Sequence, residues 1–194
     1  VNALRSDEAA QLAAALLDEL DLGGSLAATA AAAEAEGVPF FITELVQRLK
    51  SRAAEGGMPQ QLEPISLDQV ILDRVRSMPT GSQRLLQVLS VAAGPLEQGV
   101  AISAAGLQAG DRGTMLALRA ARLVRTRGTR QTDTAETYHD RVRETVVRDM
   151  QPEEIRQLHA RIAEAMERFA VADPERLVMH YSGAGEGVRA GETA

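Results

Sequence analysis

The sequence predicts a mostly α-helical protein that contains a small helical domain, a winged helix-turn-helix with one small β-hairpin, and the start of a helical repeat. Apolar residues recur at helical spacing through most of the chain, for example over residues 40–49 and 155–169. Capping residues, glycine and proline mark the ends of these runs. The period changes once, over residues 123–138, where alternating and β-branched residues surround Gly128 and predict the hairpin.

Residues 1–55 are predicted to form a small domain of three helices. Ser6 begins the first helix, because its side-chain oxygen and the two acids that follow satisfy the free N–H groups. An alanine-rich second helix ends at Gly37. Pro39 fits the first turn of the third helix, where its missing N–H costs nothing.

Residues 56–150 are predicted to form the winged helix-turn-helix, after a linker at its start. Helices are expected to begin at Ser66, at Ser82 and at Asp111, with a short and weakly helical stretch over residues 100–107. The hairpin comes next. Three short helices followed by a hairpin are typical of this fold.

Residues 151–194 are predicted to begin a helical repeat. A long helix follows Pro152, and a second begins at Asp173. Because one helix pair cannot bury its apolar face without neighbours, we expect more protein after it. The chain starts with Val1 rather than Met, so it is interpreted as a piece of a longer polypeptide.

Composition excludes several classes of function. The net charge of −6 disfavours a surface that binds nucleic acid or membrane throughout, and the absence of cysteine excludes disulfides and thiolate metal sites. The single lysine, Lys50, does not follow glycine as a phosphate loop requires, so ATP hydrolysis by this chain alone is not expected. No apolar run approaches the roughly 20 residues that span a bilayer, and a cytoplasmic setting without membrane contact is expected.

The histidines do not predict a metal site. His139, His159 and His180 are too far apart in sequence for a local metal motif. His159 is expected on a helix surface. No catalytic residue is predicted.

Three stretches together resemble a known family. Residues 37–46 (GVPFFITELV), 138–144 (YHDRVRE) and 158–165 (LHARIAEA) resemble, in this order and spacing, the regulatory half of STAND-type AAA+ signal-transduction ATPases. The branch includes maltose-regulator-like activators and ATPase regions attached to bacterial serine/threonine kinases. Residues 177–181 (LVMHY) resemble the first helix of a tetratricopeptide array.

The resemblance implies that residues 1–55 form a helical lid. It also implies that the lid, the winged helix and the repeat follow a nucleotide-binding core that this chain lacks. Gly37 and Pro39 match a turn that packs against adenine, and His139 matches a histidine that contacts the β-phosphate of ADP. The implied cofactor is ATP or ADP in the full-length parent, with none expected in this chain alone. The implied partners are the N-terminal core and C-terminal repeats of the same parent, with surfaces for self-association.

The residues themselves leave other interpretations open. A proline beside glycine gives a rigid turn whose apolar face and exposed N–H groups suit a flat heterocycle, and an imidazole donates to phosphate. Alternatively, Gly37 and Pro39 form only a helix-to-helix turn, and His139 caps the next helix or lies at a domain joint.

A different function follows from the distribution of charge. Nine arginines and five acids give residues 111–148 a net charge of +4 and leave −10 for the remainder. A DNA-binding winged helix would place its third helix and wing against the duplex. The arginines that would contact the duplex are Arg119, Arg122, Arg125, Arg127 and Arg130, here called the arginine stripe. The alanines of the third helix leave few side chains to read bases, so DNA ranks second, and the arginine stripe also suits an acidic protein surface. A protein-binding scaffold is the third class of function.

Overall fold

In a computed structural model, the chain divides into two compact units, Val1–Arg74 and Val75–Ala194. The structure describes residues 3–17, 25–54, 66–108, 111–171 and 173–186. These contain ten α-helices and one three-stranded sheet, which confirms a mostly helical fold with a small β-hairpin. The linker predicted after residue 55 lies outside the described residues. Within those residues no helix is both long and apolar enough to cross a membrane.

Three helices form the body of the first unit. They are α1 (Ser6–Leu17), α2 (Ser25–Glu34) and α3 (Pro39–Ala54), and the starts predicted at Ser6 and Pro39 are confirmed. The helix α1 packs against both α2 and α3. Small buried residues such as Ala13 and Ala35 allow close approach of the backbones, while Ile42 and Leu45 fill the core from α3.

Gly37 fixes the turn between α2 and α3. Its φ of +71° lies in the left-handed region, and an added Cβ would stand 2.4 Å from the carbonyl oxygen of Leu4. The Leu4 N–H donates to the Gly37 carbonyl at 2.8 Å. Only glycine meets both requirements without strain, and this turn sets the position of Pro39.

Polar contacts tie α4 (Leu67–Arg76) to the preceding helices. The Leu67 N–H donates to a carboxylate oxygen of Glu34 at 2.8 Å. Two ion pairs join α4 to α3, Arg48 with Asp73 at 2.9 Å and Arg74 with Glu44 at 2.5 Å. These contacts hold residues 67–74 within the first unit.

The second unit begins with three helices and a hairpin in the order of a winged helix-turn-helix. The elements are α5 (Thr80–Ala92), β1 (Leu96–Glu97), α6 (Gln98–Ala104), α7 (Arg112–Ala120), β2 (Val124–Arg127) and β3 (Thr134–Thr137). The strands are antiparallel in the order β1-β3-β2. The helix predicted from Ser82 begins two residues earlier, after Pro79. Strand β1 was not predicted, because a pair of residues is too short to display alternation.

Three further helices complete the second unit: α8 (Asp140–Asp149), α9 (Pro152–Arg168) and α10 (Pro174–Ala184). At the start of α9, Gln151 and Glu154 form a capping box. Besides α10, α9 packs against α5 and α6. The pair α9 and α10 therefore belongs to the same compact unit as α5, α6, α7 and the sheet.

Gly37→Ala is expected to destabilise the protein by about 2 kcal/mol or more, because the side chain adds both left-handed strain and a clash with the Leu4 carbonyl. Urea unfolding followed by circular dichroism measures this loss. Gly94→Ala is the control, since nothing lies within 4 Å of its added Cβ, and a change within about 0.5 kcal/mol is expected. Equal effects of the two substitutions would contradict the role of the turn.

Candidate functional site

A cleft of ≈ 200 Å³ lies in the second unit, where the hairpin passes into α8. Basic side chains in its wall are Arg125 from β2, Arg143 from α8 and His139 between β3 and α8. Glu136 and Asp140 line the same cleft. The fold thus brings two of the sequence-predicted residues, His139 and Arg125, to one site.

His139 occupies the N-cap position of α8 through its backbone. Its φ and ψ are −137° and 145°, and its carbonyl accepts from the N–H groups of Val142 at 3.1 Å and Arg143 at 3.4 Å. The imidazole forms no cap hydrogen bond, so a capping role for this side chain is not what the structure shows. The ring is half-buried and stacks edge-on with Tyr138, with centroids 4.8 Å apart.

Electrostatics favour a neutral imidazole at this position. Burial lowers the pKa of His139, and nearby Arg125 lowers it further, whereas Asp140 opposes the shift. A neutral imidazole carries one N–H donor and one acceptor nitrogen. Its N–H could donate to a phosphate oxygen, and the negative charge of the phosphate would in turn raise the His139 pKa.

The two arginines of the cleft differ in how they are held. Register pairs Arg125 with Glu136 across the hairpin, and the Arg125 Nε donates to the Glu136 carboxylate at 3.0 Å. Arg143 lies near two carboxylates on its own helix, Glu144 at 3.5 Å and Asp140 at 4.0 Å. The Arg125 side chain is 57% exposed against 31% for Arg143, so Arg125 is the more accessible to a ligand.

The Gly37–Pro39 turn belongs to the first unit, and its N–H groups are used. The Gly37 N–H donates to the carbonyl of Ala32 at 3.3 Å, and the Val38 N–H to that of Ala35 at 2.9 Å. The expectation that these N–H groups are exposed is therefore wrong. The surfaces of Val38 and Pro39 remain half-exposed, and Gly37 also borders a cleft of ≈ 220 Å³ between α1 and α2.

The hairpin neutralises part of the arginine stripe. Besides the Arg125–Glu136 pair, Arg130 lies 3.6 Å from Asp133. Arg119, Arg122 and Arg127 are exposed, Arg122 in a turn with φ of +54°. These acids come from β3 and the loop before it, so only the fold of the hairpin brings them beside the arginines.

The exposed face of α7 carries one described side chain that could read a base, Arg119, together with residues that could not. Leu116 is 59% exposed, and Gly113 and Ala120 lie on the surface beside it. None of these side chains has a hydrogen-bonding group, which direct readout of base edges requires.

Sequence reasoning missed a histidine pair between α9 and α10. The Nδ1 atoms of His159 and His180 lie 2.9 Å apart, and His180 is completely buried. His159 is therefore half-buried against α10 rather than on an open helix surface. Its ring fits because Gly183 has no side chain: an added Cβ would stand 2.7 Å from it. The available signal was the apolar row Leu177, Tyr181, into which His180 falls at helical spacing.

The surroundings of the pair indicate which of the two Nδ1 atoms carries the shared hydrogen. Nε2 of His180 is buried without a hydrogen-bond partner. Leaving a bare acceptor there costs less than burying an orphaned N–H, so we assign the donor to His180 Nδ1 and the acceptor to His159 Nδ1. Burial is the main cause that lowers the pKa of His180 to about 4, with smaller contributions from His159 and Arg176. Burial also lowers the pKa of His159.

The described residues contain no group of three or more His, Asp or Glu side chains that could hold a metal ion. Comparison of the chain with protein-family models and with curated proteins finds no match.

The protein is expected to lose stability as the pH falls from 7 to 4.5. Unfolded His180 takes up a proton near the ordinary histidine pKa of 6.5, whereas the folded side chain resists protonation down to about 4. Stability is therefore present above pH 6.5 and lost as the pH falls through this window, by roughly 1–3 kcal/mol. Urea unfolding at several pH values measures the loss.

His139→Gln is the control for this pH dependence, since most of the loss should remain when the half-buried histidine outside the pair is replaced. A direct readout is the imidazole NMR titration of His180. Titration of that ring near its ordinary pKa in the folded protein would contradict the assignment.

Proposed function

We propose that this chain is the regulatory portion of a STAND-type, nucleotide-controlled signalling ATPase. In this proposal residues 1–55 act as the lid, and the winged helix contacts ATP or ADP bound by a core outside these residues. The single observation that carries the proposal is the position of His139. Its imidazole lines a cleft at the junction of hairpin and helix, and the helix cap does not use it.

The chemistry of the cleft fits a phosphate group. A neutral imidazole can donate one hydrogen bond, and Arg125 and Arg143 contribute positive charge beside it. Hydrogen bonds to charged groups contribute about 1.5–3 kcal/mol. A contact of that size present in only one state shifts a two-state equilibrium by roughly 10- to 150-fold, which is enough for a nucleotide-dependent switch.

The lid turn would contribute an apolar surface rather than N–H donors. The N–H groups of Gly37 and Val38 bind carbonyls of the same unit, so contact with adenine would fall to the half-exposed Val38 and Pro39. Bound ADP would hold lid and winged helix against the core. Exchange would release them and expose surfaces for self-association or for an effector such as a serine/threonine kinase. Catalysis would belong to the parent and not to these residues.

His139→Ala in the full-length parent is expected to accelerate ADP dissociation by about 10-fold or more and to raise basal output, because the phosphate contact is lost. Release of a fluorescent ADP analogue measures the rate. Arg127→Ala is the matched control, since Arg127 lies on the same hairpin outside the cleft. An unchanged rate in the His139 variant would remove the basis of the proposal.

Duplex DNA is the second candidate ligand, favoured by the exposure of Arg119, Arg122 and Arg127. Phosphate contacts of this kind weaken steeply with salt. Because two of the arginines are paired and α7 offers little for base readout, we expect no mobility shift of duplex DNA at about 0.15 M salt. A shift that falls with salt and disappears in Arg122→Ala/Arg127→Ala would reverse the ranking.

A further inference from the structure

Arg125 combines a fixed position with unused donors. Its Nε donates to Glu136 at 3.0 Å, and the Glu136 side chain is only 16% exposed. Within the described part of the chain, the two terminal nitrogens of Arg125 form no hydrogen bond. One edge of the guanidinium is thus held by the protein, while its remaining N–H groups are available at the cleft.

We propose that Arg125 is a second phosphate-binding residue of the cleft, beside His139, and that Glu136 is the positioning residue that holds it there. This inference rests on the proposed role of the cleft and gives Arg125 and Glu136 specific roles in it. A guanidinium suits the task because its planar donors match two oxygens of one phosphate. The ion pair with Glu136 reduces the rotamer freedom that Arg125 loses when it binds the ligand.

The two other arginines near the cleft, Arg143 and Arg127, are less suited to bind phosphate. Arg143 is less exposed and lies near Asp140 and Glu144, which compete with an anion for its N–H groups. Arg127 lies two residues along β2 from Arg125, on the same exposed side, but does not line the cleft. The structure therefore distinguishes Arg125, which lines the cleft, from Arg127, which has the same charge but lies outside it.

Glu136 has two opposed effects on a bound anion. Its oxygen accepts from Arg125 and orients the guanidinium, while its charge repels phosphate across the cleft. Gln at this position keeps an acceptor oxygen and removes the charge. Glu136→Gln should therefore bind phosphate more tightly, whereas Arg125→Ala should bind it less tightly.

The test uses this chain and inorganic pyrophosphate, with the NMR shift of the His139 imidazole as the readout of occupancy. We expect millimolar binding by the wild-type chain, because the core is absent, and an upward shift of the His139 pKa on binding. Arg125→Ala should weaken binding about 5- to 10-fold and Glu136→Gln should strengthen it several-fold. Arg127→Ala and Glu164→Gln, which change charge outside the cleft, should each stay within about two-fold of wild type.

The outcomes separate this inference from the function on which it rests. If His139→Ala weakens binding and Arg125→Ala does not, the role of Arg125 is overturned and the proposed function stands. If Arg127→Ala weakens binding as much as Arg125→Ala, only general charge is at work and the inference fails. If pyrophosphate leaves the His139 resonance unchanged, both the inference and the phosphate role of the cleft fail.

Discussion

Ala135 lies in β3, the central strand of the sheet, and its complete burial determines which face of the sheet the neighbouring side chains occupy. It pairs with Leu96 of β1 on one side and with Thr126 of β2 on the other. Because side chains alternate along a strand, burial of Ala135 sends Glu136 to the opposite face, where Arg125 stands directly across. Three residues further on, the chain reaches His139 and turns into α8. A slip of one residue in this register would separate the members of the cleft.

Much of the fold can be predicted from the sequence because the residues that begin and end its elements act locally. The starts of α1 and α3 follow from Ser6 and Pro39, and Asp173 caps α10 by accepting from the Arg176 N–H. Asp111 precedes α7 as predicted, but its side chain forms no cap hydrogen bond. The hairpin is also predicted from local information, because Gly128 marks the start of the loop that joins β2 to β3. Strand β1 is different, since its two residues pair only with a strand that lies far along the chain.

The candidate site depends on information that one sequence does not contain. The resemblance pointed to His139, but the partnership of Arg125 and Glu136 requires the register of the hairpin. The His159–His180 pair requires knowing how α9 and α10 face one another, and Gly183 has significance only in that packing. The bond from the Gly37 N–H to the Ala32 carbonyl is by contrast local, because a glycine that ends a helix commonly donates back to the last turn. In the first two cases the missing information is how two elements pack against each other.

The hydrogen bond from Leu4 to Gly37 has a topological consequence. It holds the segment before α1 against the turn between α2 and α3, although two helices separate them along the chain. In a longer polypeptide, a preceding module would be tethered directly beside this turn. Tension on such a tether would reach Gly37 through the hydrogen bond that joins Leu4 to it.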